Sequence, residues 1–308
     1  MAQNTTLRLP GSIVPPLTPF TADLKVDYDA LARAVDYVVE ECDAAMVIAA
    51  GVEAQEYQFL DLAARKELIA KTIEFVAGRK PVVVGISHPS IRIALDLAEF
   101  SAAAGASGHQ LLAPMRPTGG PIKTSELMGY FQAVLKETSL PMMLYLNAGP
   151  GADVSVPDTI ELAKLEGIAW VKESSRDMAR VSRLIEEIEH GGHAHYFTTM
   201  QMYLPSLMLG GSGVTLPPPA ALIANKIATA FLAGDHVEAA RLQRQFTLFP
   251  ARWMPFGLAA VMKAAMTHLG LNMGHPYPPY EPLTGAALDS LKACLDGMDL
   301  PKIKNRNT

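Results

Sequence analysis

Short apolar runs alternate with longer segments whose apolar residues recur at helical spacing, and the pattern repeats eight times along the chain. Each repeat predicts one strand followed by one helix. The predicted pairs are 12–15 with 28–40, 45–49 with 62–75, 81–85 with 91–104, 108–112 with 124–137, 142–145 with 156–165, 168–172 with 178–189, 194–198 with 202–209, and 212–215 with 220–232. Three further helical segments, 237–246, 255–269 and 286–295, follow the last pair.

The predicted strands are apolar on both faces, which is typical of a parallel sheet covered by helices. Eight such units form either a closed barrel or a doubly wound open sheet. A dinucleotide-binding sheet would carry a glycine-rich loop after its first strand, but residues 16–20, PLTPF, contain no glycine. The pattern therefore favours an α/β fold, a (β/α)8 TIM barrel over residues 1–233, with a C-terminal helical extension over residues 234–308 packed on the barrel.

Composition narrows the class of protein. Of the 308 residues, 49% are hydrophobic and 19% are charged, so the chain is not disordered, and some apolar surface is expected to lie between subunits. The net charge of −5 and the absence of long basic runs argue against nucleic-acid binding. Cys42 and Cys294 lack the spacing of a disulfide framework or zinc site, which fits a reducing cytoplasm. No signal or membrane-spanning segment is apparent, so a soluble cytoplasmic protein is expected.

Two predicted strands end in residues whose side chains can take part in catalysis, and they end at the face of the barrel where catalysis occurs. Lys172 closes the sixth apolar run, and apolar surroundings should lower its pKa and leave a free amine able to attack a carbonyl. Tyr145 closes the fifth run and could relay a proton. The structural alternatives are a lysine that pairs with Glu173 or caps its strand and a tyrosine ring packed with one hydrogen bond.

Four segments resemble the superfamily of dihydrodipicolinate synthase and N-acetylneuraminate lyase, the pyruvate-type Schiff-base aldolases. GSIVPPLTPF at residues 11–20 is similar to the family's opening segment, and VKESS at residues 171–175 resembles its Schiff-base motif. Leu144-Tyr145 with Pro157 resembles the catalytic tyrosine segment, and LGGSGV at residues 209–214 resembles the glycine-rich segment near the eighth strand. The resemblance covers about residues 10–297, with the motifs in the family's order.

The resemblance implies a homotetrameric barrel whose lysine forms an imine with pyruvate or another 2-oxo acid. By position, Lys172 is the imine lysine and Tyr145 the proton-transfer residue. A homodimer is the other assembly that we consider. Such an enamine mechanism requires neither a metal nor another cofactor.

Loops after the second and fourth strands depart from the family pattern. The family's Gly-Thr-Thr-Gly-Glu loop corresponds to a longer segment containing Gly51, Val52, Glu53, Ala54 and Glu56, without either hydroxyl. The threonine of the synthase's proton relay is therefore missing. Backbone N–H groups at Gly51 and Val52 remain able to bind a carboxylate. Glu53 and Glu56 are candidates for acid–base or substrate-binding roles, with a helix N-terminal carboxylate or a loop strut as the alternative.

The other departures from the family pattern also fall at positions that bind the acceptor, which is the substrate that reacts with the enamine, rather than at positions that form the imine. Met115 stands near the position of the synthase's intersubunit tyrosine, and Pro150 occupies the position of its substrate-binding arginine. Arg116 could bind an anionic acceptor instead, although a solvated arginine is the simpler interpretation. Thr215, which closes the eighth strand, is a further candidate substrate-binding residue.

Three functions stay open from the sequence. A Schiff-base lyase or aldolase acting on a 2-oxo acid is favoured because Lys172 and Tyr145 are both present. An authentic 4-hydroxy-tetrahydrodipicolinate synthase is the first alternative, and a non-catalytic 2-oxo acid sensor is the second. No metal site is expected, since His193 and His195 lie in a turn on the noncatalytic barrel face.

Overall fold

A computed structural model describes residues 8–52, 56–114, 122–146 and 154–303. Its eight strands are parallel, and they close into a barrel in chain order, with β1 paired to both β2 and β8. The strands are β1 Gly11–Val14, β2 Met46–Ala49, β3 Val82–Gly85, β4 Gly108–Leu112, β5 Met142–Leu146, β6 Ile168–Glu173, β7 His195–Thr198 and β8 Gly213–Thr215. The helices are α1 Tyr28–Asp36, α2 Leu62–Val76, α3 Ile91–Ala103, α4 Thr124–Leu135, α5 Val156–Ala163, α6 Met178–Leu184, α7 Tyr203–Met208, α8 Pro218–Leu232, α9 His236–Gln243, α10 Leu258–Leu269 and α11 Gly285–Asp296.

The predicted (β/α)8 barrel with C-terminal helices is therefore confirmed. Side-chain caps fix several helix starts, because Asp27, Asp61, Ser155 and Asp177 each accept a hydrogen bond from a first-turn backbone N–H. The domain boundary proposed after residue 233 remains a prediction, one residue beyond the end of α8.

Several predicted helices differ in detail from the structure; the sixth, expected over residues 178–189, ends at Leu184 and continues as a π-helical segment, Ile185–His190. The first was expected to run through residue 40, but α1 ends at Asp36 and continues as one π-helical turn, Tyr37–Glu41. The helix expected from residue 255 begins at Leu258 instead. Residues Ala251–Phe256 form 3₁₀ turns, and Gly257, with φ of 87°, separates them from α10. Its left-handed backbone interrupts the helical hydrogen-bond pattern.

The barrel interior is filled by layers of four side chains, each from alternate strands. The strands are tilted to the barrel axis, so residues at the same height along the axis are not direct pairing partners. On each successive strand, the residue at the same height lies one position beyond the pairing partner, toward the carboxyl end. Inward positions then form the following layers from the bottom upward: Met46, Gly108, Trp170 and Gly213; Ile13, Val83, Met143 and Phe197; Ile48, Gln110, Lys172 and Thr215; and, above these, Gly85 and Tyr145. The interior thus changes from apolar to polar toward the carboxyl ends of the strands.

The outward faces of the strands pack on the helices in one large apolar core that extends to the C-terminal helices. Phe246, Phe249 and Trp253 are buried in this core between α9 and α10. In the part of the chain that the structure describes, none of the helices has the length and apolar character needed to cross a membrane.

Candidate active site

Lys172 lies in the upper interior layer of the barrel and is completely buried. Its Nζ donates a hydrogen bond to Ser174 Oγ at 2.6 Å and lies 3.8 Å from the centroid of the Tyr145 ring. Ser174 follows β6 immediately, so the lysine side chain rises toward the mouth of the barrel. The amine is therefore presented at the end of the barrel where catalytic residues of this fold lie.

Glu173, the next residue, faces the opposite side of the sheet and belongs to a separate buried network. Its Oε1 pairs with Arg180 Nε at 3.1 Å, and its Oε2 accepts hydrogen bonds from the Ser175 N–H at 3.0 Å and from Tyr196 Oη at 3.2 Å. Burial, with a smaller contribution from Glu173, raises the pKa of Tyr196 well above its usual value. This network fixes the end of β6 and the turn toward α6, and thereby the strand that carries Lys172.

Tyr145 lies beside Lys172 because the two residues are register partners on β5 and β6. The ring is 1% exposed, and it presents its face to the lysine Nζ. A positive charge over a phenol face is favourable, more so where water is excluded. The structure therefore brings the two predicted catalytic residues into contact through the ring, and the proton-transfer role of the hydroxyl stays a prediction.

Residues 50–52, which follow β2, lie at the carboxyl end of that strand and approach the end of β3. Ala50 has a left-handed backbone (φ 50°), an uncommon conformation for a residue with a side chain. Gly51 is buried and packs closely on Ile48, and Val52 is half-buried. A side chain at Gly85 would collide with the Ala50 carbonyl oxygen, so glycine there permits the loop to approach β3. The predicted carboxylate-binding role of Gly51 and Val52 stays a prediction.

Glu56, at the end of this loop, contacts the C-terminal extension. Its Oε2 lies 2.5 Å from Lys263 Nζ on α10, and its Oε1 accepts a hydrogen bond from the Tyr277 N–H at 2.8 Å. Both charged side chains are at most 5% exposed. Burial lowers the pKa of Lys263, and the Glu56 carboxylate opposes this shift. These contacts agree with the alternative in which Glu56 braces the loop structurally. A role for Glu56 in substrate binding stays a prediction.

Arg65 supports the same end of the barrel, and our sequence reasoning did not single it out. It is buried on α2 and donates to the carbonyl oxygens of Gly85, at 2.7 Å, and Ser87, at 3.2 Å, where β3 ends. Its guanidinium stacks on Tyr57, 3.9 Å from the ring centroid. Burial lowers the pKa of Arg65 to about 10. The sequence signal that could have identified Arg65 is a charged residue at a position within an otherwise apolar stripe of the helix.

Two polar side chains flank Lys172 in its layer, Gln110 on β4 and Thr215 on β8. Gln110 is 1% exposed and Thr215 2%. Gln110 Nε2 lies 3.5 Å from Met143 Sδ, a weak acceptor. Within the described parts of the chain, Gln110 Oε1 and Thr215 Oγ1 have no hydrogen-bond partner. Thr215 was predicted to bind substrate and Gln110 was not, although a glutamine interrupts the apolar run of β4.

Several predictions fall on residues outside the described ranges. Glu53 and Arg116, the two other candidate substrate-binding residues, are among them, as are Ala54, Met115 and Pro150. Their proposed roles stay predictions from the sequence.

His195, which the sequence placed on the noncatalytic face, is the first residue of β7. Its Nδ1 lies 2.9 Å from Glu189 Oε1 and 3.0 Å from Ser212 Oγ, at the end of the barrel opposite the Lys172 amine. Within residues 8–52, 56–114, 122–146 and 154–303, no three histidine, cysteine, aspartate or glutamate side chains are grouped to hold a metal ion.

Comparison with known proteins agrees with this architecture. The model of the dihydrodipicolinate synthetase family matches residues 8–297. A 4-hydroxy-tetrahydrodipicolinate synthase from Methanosarcina mazei is 28% identical over 281 residues, covering 90% of this chain and 94% of the relative. One from Moorella thermoacetica is 29% identical over 276 residues, covering 88% and 90%.

Solved structures share the fold. YagE, a prophage protein from Escherichia coli K12 described as a member of the dihydrodipicolinic acid synthase family, in complex with pyruvate, superimposes with a TM-score of 0.86 at 24% identity and covers 94% of this chain and 98% of its own. Dihydrodipicolinate synthase from Aquifex aeolicus gives 0.83 at 23% identity, covering 96% and 99%. The chain belongs to the dihydrodipicolinate synthetase family. It is thus an enzyme of the class I aldolase type, a lyase.

Proposed function

We propose that this protein is a Schiff-base-forming lyase or aldolase that acts on pyruvate or another 2-oxo acid, with Lys172 as the imine lysine and Tyr145 as the proton-transfer residue. The observation that carries the proposal is the placement of Lys172. Its amine rises from a fully buried strand position to the catalytic end of the barrel, between a tyrosine ring and a serine hydroxyl.

The chemistry follows from these groups. The lysine nitrogen adds to C2 of the 2-oxo acid, and loss of water from the resulting carbinolamine gives the imine. Protonation of the imine makes it electron-withdrawing, so a proton on C3 is lost more easily and an enamine forms. The enamine carbon then makes a carbon–carbon bond with an acceptor, or the reverse reaction breaks one. The face of the Tyr145 ring stabilises the positive charge on the nitrogen, and the Tyr145 hydroxyl transfers protons.

The complex of YagE with pyruvate supports a 2-oxo acid as the substrate. We extend the proposal to a homotetramer or homodimer in the cytoplasm. A relative described as a monomeric dihydrodipicolinate synthase variant shows that assembly differs among structures of this fold. The free cysteines Cys42 and Cys294 support a reducing compartment.

Authentic 4-hydroxy-tetrahydrodipicolinate synthase is the second candidate, because the curated relatives named above carry that name. The sequence argues against it at Val52, Met115 and Pro150, where hydroxyl, phenol and guanidinium groups of the synthase are missing. These groups act on the acceptor aldehyde rather than on the imine. We therefore favour a related aldolase, hydratase-aldolase or dehydratase.

Borohydride reduction in the presence of pyruvate tests the proposal. The peptide containing Lys172 should gain the mass of the reduced adduct, and the peptide containing Lys263, an equally buried lysine, should remain unmodified. Lys172→Arg should abolish trapping, because a guanidinium stays protonated and does not act as the amine. Labelling of another lysine, or no labelling with any 2-oxo acid tried, would refute the assignment of Lys172.

A further inference from the structure

A cavity of about 430 Å³ lies in the C-terminal extension, between α10, α11 and the segment that connects them. Ala260, Ala264 and Thr267 on α10 lie three or four positions apart, and so do Leu288 and Lys292 on α11, so each helix presents one face to the cavity. Among the described residues, none from a barrel strand lines it. Its volume falls within the range of about 300–1,000 Å³ that is typical of pockets for small ligands.

Part of the cavity wall is apolar. Leu283, in the connecting segment, is buried, and Leu288 on α11 is half-buried. Pro276 and Pro282 also line the cavity and restrict the backbone of the connecting segment. A wall that is rigid before a ligand binds loses little conformational entropy on binding. This side of the cavity is therefore suited to a hydrocarbon group.

The charged side chains along the cavity are basic. Two lysines and two histidines line it, and within the described parts of the chain no aspartate or glutamate does. Two of the basic residues have acidic partners that do not line the cavity. Lys263 Nζ lies 2.5 Å from Glu56 Oε2, and His268 Nε2 lies 2.7 Å from Asp296 Oδ1. These two acidic partners compensate their basic partners only, so the cavity keeps an excess of positive charge.

Lys292 is the source of that excess. It is half-buried on α11, and it forms no ion pair with a residue that the structure describes. A charge that is partly removed from water gains more from a nearby opposite charge than an exposed one does. Thr267 and Asn272 add hydrogen-bond donors. Asn272 Oδ1 accepts a hydrogen bond from the Gly274 N–H at 3.0 Å, so the amide nitrogen is the group that remains for a ligand.

We propose that this cavity is a binding site for a small organic carboxylate, with the carboxylate group on Lys292 and the hydrocarbon part against Leu283 and Leu288. An ionised carboxylate accepts hydrogen bonds and donates none, which matches the donors that line the cavity. The hydrocarbon part removes the apolar wall from water, which an inorganic anion does not. The site is separate from Lys172, so this inference goes beyond the proposed function and does not depend on it.

Calorimetric titration of the full chain with hexanoate tests the site. Hexanoate combines a carboxylate with an apolar chain, and it has no keto group, so it does not form an imine. Hexan-1-ol and hexylammonium carry the same chain, the first without a charge and the second with the opposite charge. Both should bind at least about tenfold more weakly than hexanoate, because they lack the charge-assisted hydrogen bond to Lys292.

Three variants locate the ligand. Lys292→Gln should weaken hexanoate binding by about tenfold or more, the scale of one hydrogen bond to a charged group, and Lys292→Arg should retain most of the affinity. Ala264→Leu should abolish binding by filling the cavity, and it preserves α10 because leucine is a good helix former. Lys136→Gln is the matched control, since Lys136 is exposed after α4 and also forms no ion pair with a described residue. It should leave the affinity unchanged.

The outcomes separate this site from the active site. Equal affinity for hexanoate and hexan-1-ol, or no binding of hexanoate at millimolar concentration, would overturn the proposal. Unchanged affinity in both Lys292→Gln and Ala264→Leu would also overturn it. Lys172→Arg should bind hexanoate like the unmodified protein, and loss of binding in this variant would assign the ligand to the active site instead. Failure of borohydride trapping with pyruvate would refute the imine at Lys172 and leave this cavity site in place.

Discussion

The buried ion pair between Glu56 and Lys263 joins the end of the segment between β2 and α2 to the C-terminal extension, and it gives a quantitative prediction. Glu56→Gln removes the charge but keeps an oxygen for the Tyr277 N–H. Lys263 would remain 2% exposed with no counterion, 4.5 Å from the centroid of the Phe20 ring. Breaking a buried pair on one side costs about 3–5 kcal/mol.

This loss of stability corresponds to a measurable decrease in Tm. An unfolding entropy of about 2.1 cal/mol/K per residue over 308 residues gives a decrease in Tm of roughly 5–8 °C at fixed protein concentration. Glu56→Gln combined with Lys263→Met should recover most of the loss, because the uncompensated charge is gone. Glu238→Gln, which breaks an exposed pair with Arg241, is the control and should shift Tm little.

The loss should also depend on pH in a defined direction. Burial lowers the pKa of Lys263, and removal of Glu56 lowers it further because the carboxylate opposes that shift. The unfolded state then binds more protons than the folded state between this lowered pKa and the ordinary lysine value of about 10.4. Stability therefore rises with pH in that interval, and the deficit of Glu56→Gln shrinks toward pH 10. Equal Tm shifts in Glu56→Gln and Glu238→Gln would refute the reasoning.

Three further predictions concern the site and the core. Tyr145→Phe should lower turnover by roughly 10²-fold or more while the fold is retained. Tyr203→Phe, which changes an equally buried phenol on α7, should leave turnover unchanged. Unchanged turnover in Tyr145→Phe would mean that the Tyr145 hydroxyl does not transfer a proton in the reaction. With pyruvate and aspartate semialdehyde the protein should be a poor synthase, and kcat/KM of about 10⁴ M⁻¹s⁻¹ or above would restore the synthase assignment. Cys42, whose thiol pKa burial raises, should react with a thiol reagent only on unfolding, and rapid labelling in the native protein would contradict its burial.

The fold could be predicted from the sequence because its signals are local. Apolar runs with no alternation mark buried parallel strands, and helical spacing between them leaves few topologies. The start of the helix predicted over residues 255–269 was placed before Gly257 because a 3₁₀ segment and an α-helix share similar apolar spacing over one or two turns. Only the backbone conformation of that glycine separates them.

The site was predictable where it coincides with a strand end. Lys172 and Tyr145 close apolar runs on adjacent strands, and parallel strands of a barrel end at the same face. Gln110 was missed because its position beside Lys172 depends on the tilt and register of the barrel, which no local pattern encodes. The partnership of Glu56 with Lys263 joins residues more than two hundred positions apart, and it depends on how the extension packs.

A crystal soaked with pyruvate tests the central claim most directly. We predict continuous electron density between Lys172 Nζ and C2 of the ligand, with the bound carbon chain facing Tyr145 at the mouth of the barrel. Pyruvate bound without a covalent bond to Lys172, or attached to a different lysine, would contradict the account.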